Sequence, residues 1–251
     1  MTQNSNAPLA GKRALVTGGS RGIGAAIARR LAADGADVAI TYVSSPDKAH
    51  AVVDEIVAAG RKAVAIAADS GDVRAVERSV AEAASTLGGL DIIVANAGVA
   101  IFAPVDQATI EDYERTFDIN VKGVFAAAKG AAAHLPDGGR FIVIGSVNAD
   151  RMPIVGGSLY GASKAAVQGM VRGLARDFGP RGITANVVQP GPVDTDMNPA
   201  DGPIAEMLTP FLAIPTYAEG KDIAGLVAWL SGPEARYVTG AALTLDQGFL
   251  A

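Results

Sequence analysis

Tyr160 and Lys164 lie four positions apart in the segment Leu159-Tyr160-Gly161-Ala162-Ser163-Lys164. On a helix this spacing places both side chains on one face, so the phenol and the ammonium reach the same small volume. A free tyrosine has a pKa of about 10, and a neighbouring positive charge lowers that pKa by favouring the phenolate. The pair therefore predicts a proton-transfer site, although the same pattern also fits a surface tyrosine beside a solvated lysine.

A glycine-rich turn, Thr17-Gly18-Gly19-Ser20-Arg21-Gly22-Ile23-Gly24, lies between the first predicted strand and the first long helix. Glycine lets the backbone turn tightly and approach a diphosphate, whose charge the free N–H groups and the dipole of the helix start would stabilise. The spacing Gly-x-x-x-Gly-x-Gly differs from the common dinucleotide pattern Gly-x-Gly-x-x-Gly. The turn predicts a nucleotide site, although a simple strand–helix turn has a similar composition.

The composition excludes several classes of function. The 251 residues are 49% hydrophobic and 19% charged, with a net charge of −5, which is typical of a compact globular protein. No run of Lys and Arg is present to follow a phosphate backbone, so we predict no nucleic-acid partner. The chain has no cysteine and only His50 and His134, which argues against disulfides, thiolate chemistry and a catalytic zinc site, so no metal is predicted.

The termini and the apolar runs bear on localisation. The first ten residues are polar and lack the apolar stretch of a signal peptide. No apolar run reaches the roughly 18 residues that a membrane span needs. We therefore expect a cytoplasmic protein without a membrane partner.

Short apolar runs alternate with longer Ala-rich segments along the whole chain. Strands are predicted at 13–17, 37–43, 63–68, 90–95, 140–146, 184–188 and 242–245, and helices at 22–34, 47–59, 72–87, 107–134, 159–178 and 219–230. Continuous Val, Ile and Ala runs indicate strands buried on both faces, as in a parallel sheet. The expected fold is α/β, a single Rossmann-type domain at 11–251 with a doubly wound seven-stranded parallel sheet and helices on both faces. Residues 1–10 are expected to be a flexible N-terminal segment.

One segment interrupts this alternation. Residues 192–216 are rich in Pro and Asp, with apolar residues interspersed. We interpret the segment as a long loop with a short helix after the carboxyl end of a strand, where ligands bind in such sheets. A lid over the substrate is the corresponding hypothesis.

Together these motifs resemble the short-chain dehydrogenase/reductase family over nearly the whole chain. The glycine spacing matches the one this family uses, and Asn96-Ala97-Gly98 resembles its Asn-Ala-Gly motif. Asn120 and Ser146 fall at the family's catalytic asparagine and serine, with Ser146 fourteen positions before Tyr160. The segment from Gln189 to Thr195 resembles the Pro-Gly segment beside the nicotinamide. Leu245-Asp246-Gln247-Gly248 resembles the C-terminal Val-Asp-Gly-Gly, with Gln247 in place of a glycine.

Carbonyl reduction needs a hydride donor, a group that polarises the carbonyl oxygen, and a proton for the developing alkoxide. Tyr160 and Ser146 can supply two hydrogen-bond donors to that oxygen, with Tyr160 as general acid in reduction and general base in oxidation. Lys164 would lower the pKa of Tyr160. The resemblance further implies that Lys164 binds the nicotinamide ribose and that Asn120 holds a water that relays protons towards Lys164.

The choice of cofactor follows from the end of the second strand. Enzymes of this fold that prefer NAD usually place an Asp there, whereas this chain has Tyr42, followed by Val43, Ser44 and Ser45. Arg21 supplies a cation that can pair with a 2′-phosphate, and the resemblance agrees with NADP(H). Asp69 is expected to accept from the adenine amino group, although Asp69 or Ser70 could instead cap the next helix. The predicted cofactor contacts are Thr17, Gly18, Ser20, Arg21, Gly22, Ile23, Gly24, Tyr42, Ser44, Asp69, Ser70, Asn96, Ala97, Gly98, Tyr160, Lys164, Pro190, Gly191, Val193 and Thr195.

The sequence specifies the substrate less closely than the cofactor. The predicted pocket is mostly apolar and consists of Ser146, Asn148, Met152, Val155, Leu159, Tyr160, Pro192, Met197, Met207 and Phe211. The chain resembles 3-oxoacyl-carrier-protein reductases, which have basic residues near the site entrance, and naphthol reductases. Arg181 could act as one such residue, but Asp137 stands where a second is expected. A small or medium apolar ketone, cyclic or aromatic, is therefore preferred.

Two other functions are compatible with a nucleotide-binding fold of this kind. A non-catalytic nucleotide-binding regulator could have the same fold. An epimerase or dehydratase of the extended family would need a longer C-terminal domain than the sixty or so residues after Gly191 allow.

Small residues dominate 161–178 and 124–133, which favours close helix packing. The resemblance implies that these two helices pair with symmetry mates and that 245–251 joins a second interface, giving a homotetramer or, failing that, a homodimer.

Overall fold

The computed structural model describes residues 7–251 of the chain. Its strands are β1 (Arg13–Val16), β2 (Asp37–Tyr42), β3 (Ala63–Ala67), β4 (Ile92–Ala95), β5 (Arg140–Ile144), β6 (Thr184–Pro190), β7 (Val193–Asp194), β8 (Ala218–Glu219) and β9 (Ala242–Leu245). Seven of them form one parallel sheet in the order β3-β2-β1-β4-β5-β6-β9, while β7 and β8 pair separately. The predicted doubly wound sheet is confirmed, and its direction of winding reverses between β1 and β4.

Helices cover both faces of the sheet, as predicted. They are α1 (Gly22–Ala33), α2 (Pro46–Ala58), α3 (Val73–Leu87), α4 (Ile110–Phe117), α5 (Gly123–His134), α6 (Ser158–Phe178), α7 (Pro203–Leu208) and α8 (Gly220–Ser231). Helices α1, α2 and α8 pack on one face, and α3, α5 and α6 pack on the other. Successive residues of a strand face opposite helix layers. In β1, Ala14 and Val16 pack against the layer of α1, α2 and α8, and Leu15 packs against the layer of α3, α5 and α6. Because both faces are covered, the strands are continuously apolar.

The predicted helix 107–134 is divided in the structure. A capping box between Thr109 and Asp112 starts α4 at Ile110, and a π-helical turn at Asp118–Lys122 separates α4 from α5. Such turns in a helix often mark functional sites because they redirect side chains. Here the turn contains Asn120.

The predicted flexible segment 1–10 is corrected in part. Leu9 is buried with 1% of its surface exposed, and its N–H donates to the Asp34 carbonyl at 2.8 Å. Residues 7–10 therefore pack against the end of α1 because they bury an apolar side chain there. Residues 1–6 lie outside the described part of the chain.

The loop 192–216 contains β7, α7 and a 3₁₀ turn at Thr209–Phe211. Leu208 and Leu212 pack with Val147 and Phe249 in a small separate core. The loop is thereby seated on the C-terminal tail of the same chain. Within residues 7–251, no helix is both long enough and apolar enough to span a membrane.

Candidate active site

A cavity of about 450 Å³ lies at the carboxyl ends of the sheet strands. This is the position where ligands bind in doubly wound sheets. The glycine-rich turn forms one end, and the loop 192–216 and the tail residue Phe249 form the other. Within the described residues, no group of three or more His, Asp or Glu side chains is arranged to hold a metal ion.

The glycine-rich turn is shaped for a close backbone approach. A Cβ on Gly24 would lie 2.5 Å from Asn96 Nδ2 and would overlap the Gly18 carbonyl oxygen. Asn96 Nδ2 donates to the carbonyls of Thr17 and Gly18 at 2.9 and 3.2 Å. The Thr17 hydroxyl accepts from the N–H groups of Asn96 and Ala97, both at 3.0 Å. These bonds join the turns after β1 and β4 into one rigid floor.

The start of α1 fits a diphosphate. Its N-cap residue is Arg21, whose side chain makes no capping hydrogen bond, and the first turn contains no acidic residue. The free N–H groups and the positive end of the helix dipole therefore remain available to an anion. Every predicted cofactor residue except Thr17 lines the cavity. Thr17 is instead buried behind the wall, where its hydroxyl serves the backbone.

The adenosine end has no carboxylate at the end of β2. Tyr42, Ser44 and Ser45 line the cavity there, as does the half-exposed Arg21. Asp69 also lines the cavity. The alternative capping role does not hold, because α3 is capped by Asp72.

Tyr160 and Lys164 both line the cavity from α6, as their spacing predicts. Lys164 Nζ lies 5.6 Å from the centre of the Tyr160 ring and donates to the Ile144 carbonyl at 3.0 Å. The Ser146 hydroxyl lies close enough to the Tyr160 phenol to act on its pKa. Three polar side chains thus converge at one wall.

The protonation of this pair differs from the sequence prediction. Burial raises the pKa of Tyr160, and the nearby Ser146 hydroxyl opposes the rise only in part. Burial also lowers the pKa of Lys164, from 10.5 to about 8. The predicted lowering of the Tyr160 pKa by Lys164 is therefore wrong for this structure. Desolvation dominates because protein atoms closely surround the phenol and bury the ammonium, and Nζ bonds to a carbonyl instead of the phenol.

Asn120 is not part of the cavity wall. Its side chain is 98% buried: it accepts from the Val99 N–H at 2.9 Å, and donates to the Val99 carbonyl at 2.9 Å and the Ser163 hydroxyl at 3.0 Å. The Ser163 hydroxyl in turn donates to the Tyr160 carbonyl. Asn120 therefore holds α6 in place beside the predicted catalytic pair, while its predicted water-binding role stays a prediction.

Gln189 supports Ser146 and was missed by the sequence analysis as a site residue. Its Nε2 donates to the Ser146 carbonyl at 3.1 Å and to Asp150 Oδ2 at 2.8 Å. The Ser146 hydroxyl accepts from the Asn148 N–H at 3.1 Å. Gln189 is buried, with 1% of its surface exposed. The available signal in the sequence was a glutamine directly before Pro190-Gly191.

The substrate end of the cavity only partly matches the prediction. Ser146, Asn148, Tyr160, Pro192 and Met197 line it. Five other predicted residues do not, namely Met152, Val155, Leu159, Met207 and Phe211. Met152 packs against Gly157, and Val155 is 85% exposed. Phe211 stacks edge-on with Phe249, outside the wall.

The apolar wall comes from other residues that lie far apart in sequence. It is formed by Val99, Phe102, Ile154, Ile204, Leu208 and Phe249. The ring of Phe102 lies 5.6 Å from that of Tyr160, centre to centre. The C-terminal tail reaches this wall because Arg151 donates to the Phe249 carbonyl at 2.7 Å.

Gln247 is the only non-glycine residue within 7–251 with a left-handed backbone, at φ 55°. This conformation favours glycine, which explains the glycine of the family motif at this place. The Gln247 amide donates to the Pro192 carbonyl at 3.2 Å. The side chain thus links the tail to the start of the loop 192–216.

Arg181 lies shortly before β6, at the amino ends of the strands, whereas the cavity lies at their carboxyl ends. Its guanidinium donates to Asp137 at 3.1 Å and to the Ala132 carbonyl at 2.7 Å. The expectation that Arg181 stands near the site entrance is therefore wrong. The residue binds the end of α5 in its own subunit.

The comparisons with known proteins agree with this geometry. A family model described as enoyl-(acyl carrier protein) reductase matches residues 18–250. The chain is 51% identical, over 95% of its length and 97% of the relative, to a cyclic-di-GMP-binding biofilm dispersal mediator protein of Escherichia coli. It is 42% identical, over 96% of its length and 95% of the relative, to a hydroxynaphthalene reductase-like protein of Metarhizium guizhouense.

Solved structures show the same architecture. A short-chain dehydrogenase from Burkholderia cenocepacia in complex with NADP has 55% identity and a TM-score of 0.96, with 97% of this chain and all of that chain covered. Other similar structures are complexes with NADPH. The chain therefore belongs to the short-chain dehydrogenase/reductase family.

Proposed function

We propose that the protein is an NADP(H)-dependent oxidoreductase that interconverts a ketone and a secondary alcohol. The observation that carries this proposal is the pair of neighbouring hydroxyls, Ser146 and Tyr160, beside Lys164 in a cavity that the glycine-rich turn also lines. When bound, the nicotinamide cofactor supplies or accepts the hydride. The chain's own residues then have to orient the carbonyl and supply the proton.

The two hydroxyls perform these tasks. Ser146 and Tyr160 donate hydrogen bonds to the carbonyl oxygen, where negative charge develops in the transition state. Tyr160 then gives its proton to that oxygen. Because burial raises the pKa of Tyr160, the phenol is protonated at neutral pH, which is the form that a general acid needs in the reduction.

The proposed cofactor is NADP(H) rather than NAD(H). Arg21 provides a cation where the adenosine ribose would lie. No carboxylate stands at the end of β2 to accept from a 2′-hydroxyl or to repel a 2′-phosphate. The fit of the uncapped start of α1 to a diphosphate supports the same assignment. The NADP and NADPH complexes of the similar structures agree with it.

The proposed substrate is a small or medium apolar ketone, cyclic or aromatic. Phe102 and Phe249 supply flat apolar surface at the substrate end, and Phe102 lies directly beside Tyr160. A carrier-protein substrate, the alternative, loses its expected docking residue because Arg181 lies at the amino ends of the strands. The resemblance to a hydroxynaphthalene reductase-like protein supports an aromatic substrate.

The test is a screen of ketones and alcohols with both NADPH and NADH, followed by Tyr160→Phe. The substitution keeps the ring and removes the acid group, so turnover should fall by about 10²- to 10⁴-fold while NADPH binding persists. Tyr237→Phe is the control, since Tyr237 is 85% exposed and outside the cavity. Retention of more than about a tenth of the turnover by Tyr160→Phe would rule out the role.

A second candidate function is binding of a cyclic dinucleotide, which the name of the Escherichia coli relative suggests. A non-catalytic regulator on this fold would bind nucleotide without turnover. Calorimetry with cyclic di-GMP, with and without saturating NADPH, separates the two candidates. Binding of cyclic di-GMP together with no turnover in the ketone screen would favour the regulator.

The proposed assembly is a homotetramer or, failing that, a homodimer. Gly169 and Gly173 lie inside α6, and a Cβ on either would meet no atom within 4 Å. Glycine in a helix interior costs about 0.5–1 kcal/mol relative to alanine, and packing within the subunit does not explain that cost. Phe125 on α5 is a large apolar side chain that is 51% exposed, which supports a partner helix packing on α5 as well.

A further inference from the structure

We propose that Asp196, on the loop 192–216, occupies the place of the cofactor's 2′-phosphate, and that the phosphate displaces it from two cations, Arg21 and Lys48. Lys48 then becomes a second ligand of the phosphate. This inference rests on the proposed use of NADP(H). It identifies Lys48 and Asp196 as residues that determine cofactor specificity. It also makes the position of the loop 192–216 depend on which cofactor is bound.

The geometry begins with one carboxylate oxygen between two cations. Asp196 Oδ2 lies 3.2 Å from Lys48 Nζ and 3.8 Å from Arg21 Nη1. Lys48 belongs to α2, Arg21 to the glycine-rich turn, and Asp196 to the loop that leads over the substrate end. The acidic side chain thus joins three elements that are otherwise separate in the sequence.

This place is near the end of β2, where the adenosine ribose is expected. Asp196 and Arg21 line the same cavity as Tyr42, the last residue of β2, and Ser44, which follows that strand. Lys48 lies in the first turn of α2, directly after these residues. The neighbouring residue Thr195 lies beside the glycine-rich turn, since a Cβ on Gly22 would be in ordinary contact with Thr195 Cγ2, at 3.5 Å. A phosphate on the 2′-oxygen of a ribose bound beside β2 would therefore meet the two cations and the carboxylate together.

The carboxylate is the weaker of the two competing anions. Arg21, Lys48 and Asp196 are each more than half exposed, and ion pairs between exposed side chains contribute little to stability. A phosphate monoester carries more charge than a carboxylate and has three acceptor oxygens. A phosphate bound to Arg21 and Lys48 would repel the Asp196 carboxylate. Asp196 therefore moves away from the two cations as the phosphate binds.

The consequence for the loop is specific to NADP(H). The root of the loop is a short bridge in which the Asn198 N–H donates to the Thr195 carbonyl at 3.0 Å and the Thr195 N–H donates back at 3.4 Å. Release of Asp196 removes one of the contacts that hold this bridge against the glycine-rich turn. NADH has no 2′-phosphate and leaves the ion pairs in place, so the loop distinguishes the two cofactors.

The first test is a set of matched variants with binding measured by calorimetry. Asp196→Asn keeps the side chain's size and removes the competing charge, so the Kd for NADPH should fall by about twofold to fivefold and that for NADH should not change. Lys48→Met should raise the Kd for NADPH by about threefold to tenfold, again without effect on NADH. Asp201→Asn, on the same loop, and Lys62→Met are controls, since neither residue forms an ion pair within 7–251.

The second test uses ligand fragments and hydrogen exchange, which needs no activity. 2′,5′-ADP should speed exchange at the amides of Thr195 and Asn198, whereas 5′-AMP should not. Asp196→Asn should show the faster exchange without any ligand. The same exchange with both fragments, or an Asp196→Asn variant that behaves like Asp201→Asn, would overturn the proposal.

The outcomes also separate this inference from the proposed function. If 2′,5′-ADP does not bind the wild-type protein, the assignment of NADP(H) fails and the exchange of anions fails with it. If 2′,5′-ADP binds and the loop amides do not respond, the assignment of NADP(H) stands and only the displacement of Asp196 is refuted.

Discussion

Removal of the Lys164 amino group should change how the stability of the protein depends on pH. Lys164 is 6% exposed, and its Nζ has a carbonyl oxygen rather than a carboxylate as partner. Burial without a counter-charge lowers its pKa in the folded protein from 10.5 to about 8. The variant Lys164→Met keeps the length of the side chain and removes the charge.

The sign and size of the effect follow from the two pKa values. Between pH 8 and pH 10.5 the folded protein has released the proton of Lys164 while the unfolded chain still holds it. The unfolded state binds more protons in this window, so the stability of the wild type rises with pH there. The contribution is complete above pH 10.5 and is lost as the pH falls through 8. A pKa difference of about 2.5, at about 1.36 kcal/mol for each pKa unit, corresponds to about 3 kcal/mol.

The assay is urea unfolding of both proteins without cofactor at several pH values from 7 to 10.5, at one protein concentration because assembly also affects stability. The free energy of unfolding of the wild type should rise by about 3 kcal/mol relative to that of Lys164→Met. Other titrating groups cancel because both proteins contain them. Lys62→Met measures the effect of losing an exposed lysine. A wild-type-to-variant difference that stays constant within about 1 kcal/mol would refute the burial argument.

Three further predictions concern the cofactor site and the assembly. Arg21→Ala should weaken NADPH binding by about tenfold to a hundredfold and hardly affect NADH, because a charge-assisted hydrogen bond is lost; equal losses in calorimetry would mean that Arg21 only shapes the turn. Gly24→Ala should destabilise the protein by about 1–3 kcal/mol and abolish tight NADPH binding, because its Cβ would overlap the Gly18 carbonyl; unchanged thermal unfolding and binding would contradict this. Light scattering at micromolar concentration should give two or four times the 25.3 kDa of one chain, and Gly169→Ala should weaken that assembly; a mass near 25.3 kDa would refute it.

The sequence by itself determined the architecture and the position of the site. Strands buried on both faces must be continuously apolar, so the runs that became β1, β4 and β5 were visible without any tertiary information. The glycine-rich turn and the Tyr160–Lys164 spacing are local features, and local geometry places them after a strand and on one helix face. The elements they belong to then meet at the carboxyl ends of the strands.

Only the tertiary structure decided how these groups behave. The pKa directions of Tyr160 and Lys164 depend on burial, which segments distant in the chain provide. The end of α5 binds Arg181 at the amino ends of the strands, away from the cavity at their carboxyl ends. Lys48 and Asp196 are 148 positions apart, yet they meet near the end of β2, where the adenosine ribose is expected. Such contacts depend on how loops and helices pack around the sheet, and neither residue spacing nor hydrophobic periodicity contains that information.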